Sequence, residues 1–110
     1  MSELLAIAEE EMMELRHPYV GTEHFILAYL KNNMNEHVSY LDFKNKLIEL
    51  IGSSYKESEY VLYTPLLRKY IASEFDIREV FQKILRDDNS IAYNILLNMN
   101  VDIEKMLNNL

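Results

Sequence analysis

The chain has 110 residues, 11 basic and 18 acidic, for a formal net charge of −7, and 49% of it is hydrophobic. That length suits one domain with one core, and the absence of cysteine excludes disulfides, thiolate zinc sites and thiol nucleophiles. Two glycines cannot build a Gly-rich phosphate cradle, and an acidic surface repels a nucleic-acid backbone.

In chain order, Leu4, Leu5, Ala8, Met12 and Leu15 line one face of a first helix, ended by Arg16-His17-Pro18. Glu3, Glu9, Glu10, Glu11 and Glu14 fall on its other side, which reads as a solvated face or a dock for a basic partner. Thr22 reads as an N-cap with Glu23 in the first turn, before the apolar stripe Phe25, Ile26, Tyr29 and Leu30. A third stretch runs from about Glu36 to Ile51, with Val38, Leu41, Leu47, Ile48 and Ile51 as apolar positions and Asp42 as a cap within it. Gly52 is a C′ residue, and a polar linker follows over about 53–63. The tyrosines Tyr55, Tyr60 and Tyr63 around it are candidate exposed interface anchors, and a strand over Tyr60–Tyr63 has no evident partner.

Thr64-Pro65 restarts the helical pattern with Leu66, Leu67, Tyr70 and Ile71. Asp76, with Glu79 three residues on, resembles a capping box ahead of the stripe Ile77, Val80, Phe81, Ile84 and Leu85. Asn89 or Ser90 caps a helix with Ile91, Ala92, Ile95, Leu96 and Met99 inside. Asp102 caps the last, which carries Ile103, Met106, Leu107 and Leu110. No stretch approaches the roughly 20 apolar residues of a membrane span. The N-terminus lacks the basic start and apolar run of a signal peptide, so the expected location is cytoplasmic, without a membrane partner.

The pattern also repeats. His24–Leu41 aligns without gaps on Glu79–Leu96, and Asp42–Leu50 on Asp102–Leu110. The fold expected is therefore all-α: a pseudo-twofold bundle of about seven to eight short helices in one domain, 1–110. Repeat one takes about 1–52 and repeat two about 64–110.

The segment His17-Pro18-Tyr19-Val20-Gly21-Thr22-Glu23-His24-Phe25-Ile26-Leu27 resembles the H-x-Y-I-G-T-E-H-L-L-L of the N-terminal domain of Clp AAA+ unfoldases. Tyr63-Thr64-Pro65 resembles that family's F-T-P, and Ile84–Met106 is similar to its second helical run. The departures are that Asp76, Ile77, Arg78 and Glu79 stand where a second G-T-E-H belongs, and that Asn32–Phe43 is shorter than usual. The family's ATPase module has no counterpart within these residues, so a divergent member or isolated domain is expected, not a motor.

The resemblance implies a protein-binding module that receives a substrate or adaptor of a Clp unfoldase in regulated degradation. The alternative is a stand-alone regulator or decoy that mimics the domain and competes for its adaptor or client. In some Clp unfoldases the G-T-E-H glutamates bind phosphoarginine, which by position makes Thr22 and Glu23 the candidate ligand-binding pair. The structural alternative is that they only cap and complement their helix. Thr64 and Arg78 would then be a vestigial second site, because Arg78 repels a guanidinium. His17, His24 and His37 have no H-x-x-x-H or H-E-x-x-H spacing, so no metal, no cofactor and no catalytic constellation is expected.

Overall fold

The computed structural model describes residues 2–52, 63–72 and 76–108. Helix α1 (Ser2–Leu15) grows from a run made up, but for Ser2 and Ile7, of the helix formers Ala, Leu, Met and Glu, and buries Ala8, Met12 and Leu15. It ends where Arg16 turns left-handed at φ 56°. The N–H groups of Arg16 and His17 then return to the carbonyls of Met13 and Met12, the pairing that satisfies the last carbonyls of a helix. Helix α2 (Thr22–Asn32) follows, buried over eight of its 11 residues.

Helix α3 (Tyr40–Ile51) is shorter than the stretch expected from Glu36. Its cap is Ser39, whose Oγ accepts from the Asp42 N–H at 3.1 Å, so Asp42 lies in the first turn and caps nothing. Ahead of it, Asn35 and Val38 form a lone β-bridge, and the Asn35 amide donates to the Met106 carbonyl at 3.3 Å. Val38, Phe43 and Leu47 are buried, whereas Leu41, Ile48 and Ile51 are exposed and do not join the core as the pattern suggested. Gly52, at φ 80°, closes α3 by donating to the Ile48 carbonyl at 2.7 Å.

The second half supplies α4 (Pro65–Ala72), α5 (Ile77–Leu85), α6 (Ile91–Asn98) and α7 (Ile103–Asn108). The side chains of Thr64, Asp76, Ser90 and Asp102 each accept from an N–H three residues on, which starts the four helices as expected. Asn100 repeats at the end of α6 the left-handed turn that Arg16 makes after α1. Seven helices and no strand are present among the described residues: the fold is an all-α bundle.

Helix α2 lies at the centre, against α1, α3 and α6, while α5 packs on α4, α6 and α7. The halves meet where the Phe81 ring lies 5.0 Å from Phe25 and 4.7 Å from Tyr29. Phe81, Ile84 and Leu96 are buried as expected. Ile77 and Ile91, the first residues of their helices, are not; both sit at the rim. The radius of gyration, 12.9 Å, is that of a single compact unit of this length.

Candidate functional site

Residues 17–24, which carry the Clp-like segment, join nearly every part of the bundle. The Val20 carbonyl accepts from the Thr64 N–H at 2.9 Å, and Val20 and Tyr63 form a parallel β-bridge. Of the expected strand, Tyr63 thus has a partner in Val20; Tyr60–Leu62 and the linker tyrosine Tyr55 lie outside the described residues. Thr22 is not the cap. Gly21 is, and Thr22 is the first helical residue. Its buried hydroxyl accepts from Ser90 Oγ at 3.3 Å and from the Ala92 N–H at 3.4 Å, which fastens α2 to the start of α6.

A chain of histidine bonds completes the join. The Gly21 N–H donates to His24 Nδ1 at 2.9 Å, and an amide can only donate, so Nδ1 is the bare nitrogen and Nε2 carries the hydrogen. His24 Nε2 then donates to His17 Nδ1 at 2.7 Å, which leaves His17 Nε2–H to donate to the Gly52 carbonyl at 2.8 Å. Each ring is neutral, and each makes two directed bonds. Burial and the neighbouring His17 push His24 down to about 3. His24 Nδ1 also lies 3.3 Å from Glu23 Oε1. That contact is no ion pair, because the nitrogen already accepts from Gly21.

Glu23 is 5% exposed, not the open first-turn carboxylate expected. Its carboxylate lies over Gly21, where an added Cβ would meet Oε1 at 2.4 Å and Oε2 at 2.7 Å. Gly21 has ordinary extended backbone angles, so a glycine stands there for room, not for conformation. Among the described residues Glu23 Oε2 has no hydrogen-bond partner. Burial therefore raises the group to about 7, while its own N–H and the Thr22 hydroxyl oppose the rise. Little of this carboxylate is open to a guanidinium from solvent.

The acidic side of α1 is not uniformly solvated either. Glu11 is fully buried: Oε1 accepts from the Tyr40 hydroxyl at 2.6 Å and lies 3.3 Å from Lys31, and Oε2 lies 3.4 Å from Lys44. Lys44 also reaches Glu14 at 2.9 Å. Burial alone would lower Lys44, but the bonds to Glu14 and Tyr40 hold it above the ordinary lysine range. This network ties α1, α2 and α3 together. Tyr63 donates to Glu9 in the same way, so it is a half-buried anchor within the fold, not an exposed one.

The second candidate pair is not assembled. Thr64 starts α4, and Arg78 is exposed on α5 beside Leu4, Tyr29 and Asn33; no hydrogen bond joins the two among the described residues. His37 is exposed, away from the other histidines. No group of three or more His, Cys, Asp or Glu among the described residues has a metal-holding arrangement. No described helix is long and apolar enough to cross a membrane. Sequence reasoning missed the His17–His24 chain, and it read Ser90 as a cap without the bond that its hydroxyl makes to Thr22. The two histidines stand seven residues apart, but the Pro and Gly between them exclude a shared helix, and so the spacing gave no signal.

An all-α bundle organised about this segment is the setting for the comparisons with known proteins. No family model matches the chain. It is similar to the negative regulator of genetic competence ClpC/MecB of Bacillus subtilis, 24% identical over 121 aligned positions that take in 93% of this chain. It is similar also to the ATP-dependent Clp protease ATP-binding subunit ClpC of Staphylococcus epidermidis, 26% identical, and of Staphylococcus saprophyticus, 25% identical, each over 93% of this chain. The chain spans about 15% of the length of these relatives, and the matched part is their N-terminal region.

Proposed function

We propose that the chain is a protein-binding module of the Clp N-domain type, one domain built from two tandem helical units, which receives a substrate or adaptor of a Clp unfoldase in the cytoplasm. The observation that carries the reading is the similarity along 93% of the chain to the N-terminal region of ClpC proteins. The matched region is not the ATPase part, which supports a binding role without catalysis. A rigid bundle suits that role, since a pre-ordered surface loses little entropy on binding.

For Thr22 and Glu23 the burial speaks against the phosphoarginine reading: Thr22, though not the cap, fastens α2 to the start of α6, and the Glu23 carboxyl is shut over Gly21. Thr64 and Arg78 make no second site for a guanidinium. The test is competition. The purified chain, added in excess, displaces an identified adaptor or client from the isolated N-terminal region of a ClpC protein, as followed by fluorescence anisotropy. No displacement across several such ligands overturns the proposal. Calorimetry with free phosphoarginine shows no heat if the structural reading holds; one site per chain, lost in Glu23→Ala, overturns that part alone.

A further inference from the structure

A cleft of about 270 Å³ opens between the start of α1, the end of α2 and the start of α5, lined by Leu4, Tyr29, Asn33, Ile77, Arg78 and Phe81. Its floor is fixed before anything binds. Phe81 is held against both Tyr29 and Phe25, and Tyr29 is half-buried. The volume falls just below the roughly 300 Å³ at which pockets for drug-sized ligands begin, so it fits a side chain or two of a larger partner.

Arg78 is the one charged residue in that lining. In a chain of net charge −7 it stands exposed, and among the described residues no carboxylate pairs with it. Arg86 is different, being paired with Glu104 at 3.0 Å. The guanidinium is near enough to Tyr29 to act on its hydroxyl, opposing the rise that burial causes there. Ile77, Arg78 and Phe81 lie on the first two turns of one helix, so a side chain seated on Phe81 carries its own backbone past Arg78.

We propose that this cleft docks a peptide segment in which a leucine- or phenylalanine-sized side chain is adjacent to a carboxylate. The apolar group fills the slot, and the carboxylate takes the two parallel N–H donors that the arginine fork presents. One isolated cation matches one carboxylate. The net negative charge of the rest of the surface disfavours a polyphosphate strand.

The test uses the full chain, 15N-labelled, titrated at low salt with two blocked tetrapeptides, acetyl-Gly-Leu-Asp-Gly-amide and acetyl-Gly-Leu-Asn-Gly-amide. Amide shifts are expected at Tyr29, Ile77 and Arg78, and the aspartate peptide is expected to bind about fivefold more tightly, the scale of one exposed charged contact. Arg78→Gln is expected to equalise the two peptides without unfolding the chain, because the residue is exposed. Replacing the leucine by alanine is expected to abolish the shifts. Equal affinity for the two peptides on the parent chain, or shifts that cluster elsewhere, overturns the proposal. The probes carry no phosphate and approach none of Thr22–His24. Their failure therefore leaves the Clp-type reading standing, and a failed competition leaves the cleft standing.

Discussion

The starts of α2 and α5, which the sequence aligns on each other, solve the same problem with different materials. Each must satisfy the free N–H groups at the head of a helix. Helix α5 does so at the surface: Asp76 Oδ1 accepts from Glu79 N–H at 2.9 Å, and Ile77, Arg78 and Glu79 face water. At the head of α2 every residue from Val20 to Ala28 is buried. No side-chain cap is possible at Gly21, and the cap's own N–H is satisfied from the opposite direction, by His24. The aligned pair Glu23 and Arg78 shows the consequence. One is a carboxylate shut away from water, the other a guanidinium standing in it. An outer helix can change its first turn freely, whereas the first turn of an inner one is closed in, with Thr22 bound to Ser90 and Ala92 and the Glu23 carboxyl shut over Gly21.

The largest effect is expected where the inner and outer helices touch. Phe81→Ala removes the ring that meets Phe25 and Tyr29, and is expected to cost about 3–5 kcal/mol in urea unfolding, as large-to-small core changes do. A midpoint shift no larger than that of an exposed substitution would mean that α5 does not rest on α2.

The next contrast is in pH. Glu23 sits at about 7 in the folded chain, raised by burial from the ordinary 4.5, so the folded state holds the extra proton between those values. Stability therefore falls as pH rises through that window. His24, held at about 3 by burial and by His17, has the opposite sign. There the unfolded chain holds the proton, and stability falls as pH drops below about 6.5. The slopes oppose each other between about 4.5 and 6.5, leaving a plateau with a loss on either side. Glu23→Gln is expected to stabilise the chain at pH 8 by up to roughly 3 kcal/mol and to change little at pH 5. Arg78→Gln, at the aligned position, is expected to give the same small change at both. Chemical denaturation at the two pH values decides; an equal loss for Glu23→Gln at both would show that the carboxylate is not neutral in the fold.

Breaking the histidine chain comes third. His17→Ala leaves the Gly52 carbonyl and the His24 Nε2–H without their partners, and is expected to cost about 2 kcal/mol, the scale of a buried group left unsatisfied. His37→Ala, at an exposed position, is expected to stay within about 0.5 kcal/mol in the same thermal scan.

The contrast between the two helix starts also marks what could be read from the sequence. Caps and stripes are local, and so Ser90, Asp76, Thr64 and Asp102 were legible, as were the buried faces of α1 and α5. The buried carboxylates were not. Glu9, Glu10, Glu11 and Glu14 look alike in sequence, and Glu11 goes inside only because Tyr40, Lys31 and Lys44 arrive from other helices to meet it. Gly21 gave no hint for a similar reason, since its need for glycine comes from the Glu23 side chain folded over it and not from a turn. The apolar residues of α3 were misassigned in the other direction. A helix at the edge of a bundle can carry Leu41, Ile48 and Ile51 outward while Phe43 and Leu47 are buried in the core and Tyr40 packs against it.

The smallest effect sharpens the same comparison. Asp76 is exposed, and its carboxylate satisfies one N–H at the head of α5. Asp76→Ala is expected to cost about 1 kcal/mol, and Asp76→Asn only a few tenths, because the amide oxygen still accepts from the Glu79 N–H. Part of the loss is electrostatic, since an anion at a helix N-terminus contributes about 0.3–1 kcal/mol that salt screens. The difference between the aspartate and asparagine forms should therefore shrink in molar salt, while the alanine deficit persists. A cap inside the bundle would behave otherwise, as salt does not reach it. If Asp76→Ala instead costs as much as His17→Ala, then the head of α5 is as deeply committed to its neighbours as the head of α2, and the division into an inner and an outer helix fails.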